Sequence, residues 1–268
     1  MTGPDVQALA METLATEMIE HLPFARRDAF GARARIGLIV LASDWTVEGE
    51  FREILSPLMP EVALYQARIA NDPIITPDSL AAMGPRLADT AATLLPGAGL
   101  DVIGYGCTSA STVLGEDFVT QHVQSAKPGV AVTTPITAAL RAFETLAVRR
   151  VAVLTPYTRD VNAIVLRYLT ERGIEVPVFG SFNEPDDAIV AQIDRNSLTE
   201  AISRLRANQD VDGIFVSCTS VRLMDAVEEL EAEIGLPVTS SNHALIWDCL
   251  RQAGVTEPIA GRGRLYRL

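Results

Sequence analysis

The chain has 268 residues, 48% of them hydrophobic and 21% charged, which is the composition of a globular protein large enough for two α/β units. Its 22 basic and 34 acidic residues give a formal net charge of −12, which argues against a nucleic-acid surface because such surfaces need clustered Lys and Arg. The N-terminal segment lacks the features of a signal peptide, and no apolar run is long enough to span a bilayer. We therefore expect a cytoplasmic protein that binds neither membranes nor nucleic acids.

The cysteine pattern predicts free thiols. Three cysteines are an odd number, and two of them, Cys107 and Cys218, stand in matching contexts far apart in the sequence. In a reducing cytoplasm we expect no structural disulfide. There is no CxxC motif, and the three histidines lie in unrelated segments, so we expect no metal site.

The apolar pattern predicts strands and helices in alternation. An amphipathic helix is expected over residues 5–24, and its apolar face could support a homo-oligomer contact or cover the chain's own sheet. Strands are predicted at residues 35–43, 62–69, 101–106, 129–134, 149–156, 176–182, 213–217 and 236–240. Helices are predicted at residues 48–58, 78–95 (capped by Asp78), 158–172 (capped by Thr158), 186–208 (in two pieces, the second opened by Ser197 with Glu200), 220–234 and 241–253.

An internal repeat organises these elements. RIGLIV at residue 35 corresponds to RVAVLT at residue 150, and DVIGYGCTS at residue 101 corresponds to DGIFVSCTS at residue 212. The distance from the Arg to the Cys is 72 residues in the first copy and 68 in the second. Short, continuously apolar strands are typical of parallel sheets covered on both faces. We therefore expect an α/β fold of two pseudo-symmetric Rossmann-like halves, each with a four-stranded parallel sheet flanked by helices.

The repeat also suggests domain boundaries. We expect a helical extension over residues 1–27, a first half over 28–134 and a second half over 135–240, with residues 241–268 packing back onto the first half. Ligands of open parallel sheets bind at the carboxyl ends of the strands. Both Cys-Thr-Ser turns follow such ends, so the active site is expected between the halves.

The duplicated turns favour cysteine chemistry. A single cysteine is most often a small buried residue, and Cys249, inside a helical stretch, is interpreted that way. Cys107 and Cys218 each follow a strand and precede a predicted helix, whose N–H groups can lower a thiol pKa. Two thiols facing one ligand can remove a proton from one side of a carbon and return it to the other. They can also divide covalent addition and proton donation between them.

Several segments together resemble the aspartate/glutamate racemase superfamily. The matching pieces are IGLIVLASDWTVEGEF, GYGCTSAS, TPITAALRAFETLAVRRVAVLTPYTRDVN, FVSCTS and TSSNHALIWDCLRQAG, which cover about residues 33–255. The resemblance is nearest to the maleate isomerase-like branch and, within it, to the ectoine-utilisation EutA-like proteins. It implies a site between the halves, a small carboxylate substrate and no cofactor.

The resemblance assigns roles to individual residues. It makes Cys107 and Cys218 the catalytic pair. It makes Tyr157 a hydrogen-bond donor to a substrate carboxylate, although turn chemistry alone could also explain a tyrosine there. Further substrate-binding candidates are the hydroxyl residues of the two turns, Thr108, Ser109, Thr219 and Ser220.

Two positions depart from the family pattern. Maleate isomerases carry asparagine where this chain has Asp44, and a second asparagine aligns more loosely with Asp187. Both residues are substrate-binding candidates. Asp44 could instead be only a helix cap before Glu48.

Three functions remain open at this stage. The leading one is a cofactor-independent racemase or isomerase of a small carboxylate, either an amino acid or an ectoine-derived acid. The alternatives are a maleate cis-trans isomerase or an arylmalonate-type decarboxylase, although the decarboxylases keep only the second-half cysteine. A small-molecule binding protein is the non-enzyme alternative, and nucleotide-binding motifs such as GxGxxG are missing after the predicted strands.

Overall fold

The fold consists of two parallel sheets with the same strand order. A computed structural model describes residues 18–268. The described strands are β1 (Ala34–Leu41), β2 (Val62–Ile69), β3 (Val102–Gly106), β4 (Ala131–Thr133), β5 (Arg150–Thr155), β6 (Glu175–Ser181), β7 (Gly213–Val216) and β8 (Val238–Ser240). The first sheet has the order β2-β1-β3-β4 and the second β6-β5-β7-β8, with every pairing parallel. The predicted α/β fold of two four-stranded halves is therefore confirmed.

Helices cover both faces of the sheets. The described α-helices are α1 (Val47–Leu55), α2 (Pro77–Ala81), α3 (Leu87–Ala92), α4 (Thr108–Leu114), α5 (Glu116–Ala126), α6 (Pro135–Thr145), α7 (Arg159–Glu171), α8 (Asp187–Val190), α9 (Arg195–Arg206), α10 (Val227–Ile234) and α11 (Ser241–Gln252). Helices α6 and α11 pack against each other, and each contacts strands of both sheets. They form the centre of the core between the two halves. Within residues 18–268, no helix has the length and apolar character needed to cross a membrane.

The C-terminal segment after α11 contacts both halves. Arg33 and Glu257 form an ion pair at 2.6 Å, and Arg262 pairs with Glu53 at the same distance, so the segment contacts the first half. The backbone N–H of Arg264 donates to Glu231 of the second half at 2.7 Å. The boundaries of the two halves stay a prediction.

Four predicted helices differ from the observed ones. The helix predicted over residues 5–24 does not include residues 18–24, which are irregular and exposed and so give a helix no surface to pack on. Its remaining residues lie outside the described part of the chain. The helix predicted over 78–95 is broken at Gly84–Arg86, because Pro85 cannot donate to a helical hydrogen bond. Its first piece is capped by Thr76 rather than by Asp78.

The other two differences lie in the second half. Helix α9 begins before Ser197, because the Asp194 side chain accepts from the Ser197 N–H at 2.8 Å and so acts as the cap. The helix predicted over 220–234 begins only at Val227. Residues 217–226 are irregular, so the second Cys-Thr-Ser turn does not start a helix.

The duplication includes a pair of backbone anchors. Asp101 accepts from the N–H of Arg35 at 2.7 Å, and Asp212 accepts from the N–H of Arg150 at 2.8 Å. In each half the aspartate precedes the strand that ends in a cysteine turn, and it holds the start of the neighbouring strand. The anchor therefore fixes the register of the two central strands, β1 with β3 and β5 with β7.

This anchor predicts a measurable loss of stability. Asp212→Ala removes a charged acceptor of the Arg149 and Arg150 N–H groups and should lower the free energy of unfolding by about 1–2 kcal/mol, measured by denaturant titration. Asp210→Ala is the matched control, because the Asp210 side chain is 93% exposed and pairs only with Arg150 at 3.4 Å; it should cost less than about 0.5 kcal/mol. Equal unfolding midpoints for the two variants would show that the anchor adds nothing.

Candidate active site

The two Cys-Thr-Ser turns meet in one cavity. Cys107 follows β3 and Cys218 follows β7, at the carboxyl ends of equivalent strands in the two sheets. Both cysteines line the same cavity, together with predicted site residues from both halves and several residues from the segment after β2. The lining residues are Leu41, Asn71, Asp72, Ile75, Ser79, Leu80, Met83, Cys107, Thr108, Ser109, Tyr157, Asp187, Cys218 and Thr219.

The cavity is small, enclosed and without a basic side chain. The space open to the centre of a water molecule is about 20 Å³. Within residues 18–268, no Lys or Arg lines it. A wider cleft of about 390 Å³, between the end of β6 and α9, contains neither cysteine.

The first turn is ordered by a helix. Cys107 is the N-terminal cap of α4, and its Sγ accepts from the Ala110 N–H at 3.4 Å and lies 3.8 Å from the Ser109 Oγ. Thr108 and Ser109 are the first residues of that helix, so their N–H groups have no partner within it. These two N–H groups and the Ser109 hydroxyl form a set of donors beside the first thiol.

The second turn is built differently. Cys218 has a φ of 154°, a backbone conformation that residues other than glycine rarely adopt. Its N–H donates to the Ser241 Oγ at 3.0 Å, and the Thr108 hydroxyl donates to the same oxygen at 2.7 Å. The Thr219 hydroxyl contacts the Gly106 carbonyl at 3.4 Å. The two turns are therefore joined directly, chiefly through Ser241, at the start of α11.

Burial controls the protonation of both thiols. It raises the pKa of Cys107 to about 12, and the carboxylates of Asp187 and Asp44 add to the shift. Burial also raises the pKa of Cys218, again with a contribution from Asp187. Backbone N–H bonds lower the pKa at each sulfur, as expected, but desolvation outweighs them, so the net shift is upward. Both thiols are neutral at pH 7.

Tyr157 lies at the second thiol. It follows β5, is 1% exposed and lines the cavity. Burial raises the pKa of Tyr157 well above its ordinary value, and the neighbouring Cys218 and Cys107 add to the shift. The phenol is therefore a neutral donor on the cavity wall.

Asp44 lies just before the start of α1 and is not among the residues that line the cavity. Its Oδ1 accepts from the N–H groups of Thr46 and Val47 at 2.7 and 2.8 Å, so this oxygen holds the start of the helix, although the cap residue itself is Thr46. Its Oδ2 is buried and has no hydrogen-bond partner within 3.5 Å among the described residues, although the Thr219 hydroxyl lies near the carboxylate. Burial raises the pKa of Asp44 to about 6, the two N–H bonds and the Thr219 hydroxyl lower it, and the charge of Asp187 raises it again. Asp44 is therefore ionised at neutral pH.

Asp187 connects the halves at the cavity. It begins α8 and is 3% exposed. Its two oxygens accept from the hydroxyls of Ser43 and Ser220, each at 2.5 Å. Its N–H donates to the Pro73 carbonyl at 3.2 Å, in the segment that supplies one wall. Ser220 is thus bound to Asp187 instead of facing the cavity, since it is not among the lining residues.

The structure adds residues that the sequence did not single out. Ser241 joins the two turns, while Thr46, Glu50 and Asn242 hold the backbone of the second turn. All four lie in segments that carry the family resemblance, EGEFRE and TSSNHA with their flanks. Their neighbours in space are more than 20 residues away in sequence, so no spacing rule reveals their partners.

The family follows from a match over nearly the whole chain. The sequence profile of the arylmalonate decarboxylase family matches residues 36–266. The chain belongs to this family. A maleate isomerase of Pseudomonas putida is 27% identical over 245 residues, which cover 86% of this chain and 96% of the relative. An arylmalonate decarboxylase of Bordetella bronchiseptica is 36% identical over 140 residues, 52% of this chain and 58% of the relative.

Solved structures agree with this assignment. A cysteine-to-serine variant of the Nocardia farcinica maleate cis-trans isomerase, carrying a covalently bound succinylcysteine intermediate, superposes with a TM-score of 0.79 at 27% identity. The match covers 87% of this chain and 98% of that one. The prediction of an enzyme related to the maleate isomerases is therefore confirmed.

The shared cavity predicts that both thiols are needed. Cys107→Ser and Cys218→Ser should each lower kcat by about three orders of magnitude or more, because serine is a far weaker base and nucleophile at neutral pH. Cys249→Ala is the control, since Cys249 is buried against Gly104, outside the cavity, and should leave kcat nearly unchanged. Turnover is measured on the substrate that the unmodified enzyme converts, as deuterium uptake from D₂O, cis-trans conversion or release of CO₂. Near-normal turnover of Cys107→Ser would favour a decarboxylase-like reaction with one essential thiol.

Proposed function

We propose that the chain is a cofactor-independent racemase or isomerase of a small carboxylate that also carries a cationic or hydrogen-bond-donating nitrogen. Cys107 and Cys218 act on opposite faces of the reacting carbon. The observation that carries this proposal is the composition of one cavity. Two thiols share it with Asp187, and no described basic residue lines it. Asp44 is not a lining residue, but its carboxylate is close enough to raise the pKa of Cys107.

The acidic residues select against a second carboxylate on the substrate. Two like charges about 4 Å apart repel by about 4 kcal/mol at an effective dielectric constant of ~20. A dicarboxylate would bring this repulsion close to Asp44, whereas an ammonium group would give the buried Oδ2 the partner it lacks. The resemblance gives maleate isomerases an asparagine at the position of Asp44 and, more loosely, of Asp187, and such amides would suit the dicarboxylate instead.

The substrate carboxylate has a separate set of donors. The N–H groups of Thr108 and Ser109 begin α4, where the helix dipole favours an anion. Ser109 and Tyr157 also line the cavity, with their side chains within hydrogen-bonding reach of each other. Under this proposal the carboxylate binds to these donors, the nitrogen points toward Asp44 and the α-carbon lies between the sulfurs.

After one initial deprotonation, the two cysteines carry out both proton transfers of the reaction. One thiol first loses its proton to solvent, favoured by the positive charge of the bound substrate. This thiolate removes the α-hydrogen, and the opposite thiol donates its proton to the other face of the carbanion. The carbon is inverted, and the cysteines exchange their protonation states.

Maleate cis-trans isomerisation is the second candidate. It is favoured by the succinylcysteine in the Nocardia farcinica relative, which places covalent addition by a cysteine within the family's chemistry. In that reaction one thiolate adds to the double bond, the new single bond rotates and the thiolate leaves again. The two candidates share the thiols and differ at the acidic positions.

A substrate panel in D₂O distinguishes the candidates. Single enantiomers of small amino acids and of ectoine-derived acids should take up one deuterium at the α-carbon and lose optical activity at the same rate, followed by NMR and polarimetry. Maleate should convert much more slowly, and arylmalonates should release no CO₂. Efficient conversion of maleate to fumarate would contradict the proposed substrate class.

Asp44→Asn tests the residue that defines this class. The amide keeps an oxygen for the Thr46 and Val47 N–H groups but replaces the charge with a donor, so kcat/KM for the amino-carboxylate should fall about 10- to 100-fold. Binding of maleate, measured calorimetrically, should tighten.

The unmodified enzyme should also lose kcat/KM about tenfold per pH unit below pH 6, where Asp44 takes up a proton.

The stability of Asp44→Asn separates a loss of activity from a loss of folding. The folded-state pKa of Asp44 lies above its unfolded value, so stability from this group is full at low pH and is lost as pH rises through about 6. Asp44→Asn should therefore raise Tm at pH 7.5 while it lowers activity, and its pH profile should lack the limb near pH 6. Unchanged substrate preference with the limb intact would rule out this role.

A further inference from the structure

The second cysteine turn lacks the helix that orders the first. Cys107 is followed at once by α4, whereas residues 217–226 after β7 are irregular and α10 begins only at Val227. Cys218 also has the unusual φ of 154°. Its conformation must therefore be held by contacts from elsewhere in the fold.

Those contacts come largely from one buried carboxylate. Glu50 of α1, in the first half, accepts through Oε1 from the N–H groups of Leu223 and Met224 at 3.0 and 2.9 Å. Its Oε2 accepts from the Asn242 Nδ2 at 2.7 Å, and the same nitrogen donates to the Thr219 carbonyl at 2.7 Å. Glu50 thus binds one end of the second turn directly and the other end, at Thr219, through Asn242.

A second contact comes from the same side. The Thr46 hydroxyl, just before α1, donates to the Ser220 carbonyl at 2.8 Å. Glu50 is 3% exposed and forms no ion pair among the described residues. Burial without a cation raises the pKa of Glu50 to about 7, although its N–H donors lower it, so the variants are compared above pH 7, where the carboxylate is ionised. Here the donors belong to the Cys218 turn and to Asn242, which binds that turn.

We propose that Glu50 is a positioning residue for Cys218: its carboxylate replaces the missing helix and fixes the Cys218 sulfur in the cavity. The role rests on the proposed function of Cys218 as a reacting thiol. It does not depend on which carboxylate is the substrate, because Glu50 contacts only protein groups.

Glu50→Gln disrupts the hydrogen bonds that join position 50 to Asn242 and Thr219, with little change in side-chain size. One side-chain amide oxygen can still accept from Leu223 and Met224, but the new NH₂ group faces the NH₂ group of Asn242. Asn242 can accept from it only by turning its oxygen toward position 50, and its nitrogen then leaves the Thr219 carbonyl. The Cys218 turn loosens, while the Cys107 turn keeps its helix.

The first readout is kinetic. For Glu50→Gln, kcat should fall about 10- to 100-fold, since a displacement near 1 Å is enough for such a loss. KM should change less than about threefold, because the carboxylate donors are at Thr108 and Ser109. Glu53→Gln is the matched control, on the same helix, with a partly exposed side chain that pairs with Arg262; it should keep wild-type kcat.

The second readout needs no substrate, so it separates this proposal from the proposed function. Alkylation of each cysteine by iodoacetamide is followed by mass spectrometry in the folded protein, with Cys107 as the internal reference. In Glu50→Gln the rate at Cys218 should rise about tenfold relative to Cys107, as the closed turn opens more often. The control variant should match the wild type.

A milder variant covers the case that Glu50→Gln does not fold. Thr46→Val removes only the bond to the Ser220 carbonyl and should change the Cys218-to-Cys107 labelling ratio in the same direction, about two- to threefold. An unchanged ratio, or an equal rise at both cysteines, would overturn the proposal. A lower Tm of Glu50→Gln with kcat unaltered would also overturn it, because it would show a structural role alone.

Discussion

The Ser241 hydroxyl group is the main link between the two cysteine turns. The Ser241 Oγ accepts from the Thr108 hydroxyl of the first turn and from the Cys218 N–H of the second, at 2.7 and 3.0 Å. Because these turns end strands of different sheets, this contact fixes how the two thiols face each other. Ser241 begins α11, which packs on α6 in the core between the halves. The spacing of the thiols thus depends on the most deeply buried part of the fold.

The surroundings of the thiols explain why a charged substrate matters. Burial and the neighbouring carboxylates keep both thiols protonated, so neither is a base in this structure. A positively charged nitrogen near Asp44 would offset those carboxylates and favour a thiolate. Under the proposed function, the substrate supplies the charge that activates its own enzyme. A dicarboxylate would push the same pKa values further upward.

The sequence predicted most of this architecture because its signals are local. The central strands β1, β3, β5 and β7 contain continuous apolar runs, and the repeated Cys-Thr-Ser turns mark the cavity without reference to tertiary contacts. The helix expected to begin at residue 220 shows the limit of such reasoning. Its first N–H groups are bound by Glu50, a residue about 173 positions away, so a tertiary contact replaces the local one. Pro85 indicates the break between α2 and α3 in the sequence itself, but the apolar pattern continues through it and so predicts one unbroken helix.

Asp44 shows how one residue can support two interpretations. The sequence suggested either a helix cap or a substrate contact, and the structure gives each of its oxygens a different environment. The side-chain pattern carries no information about the second oxygen, because its lack of a partner depends on the packing of both halves around it.

A crystal structure with one bound enantiomer of a small amino-carboxylate tests the central claim most directly. Cys107→Ser is the form to use, because it should bind the ligand without turning it over. The account predicts that the α-carbon lies between the side chains at positions 107 and 218, with the carboxylate on the N–H groups of Thr108 and Ser109 and the nitrogen within about 3 Å of the Asp44 Oδ2. A ligand with both side chains on the same face of the α-carbon, or with its carboxylate against Asp44, would contradict it.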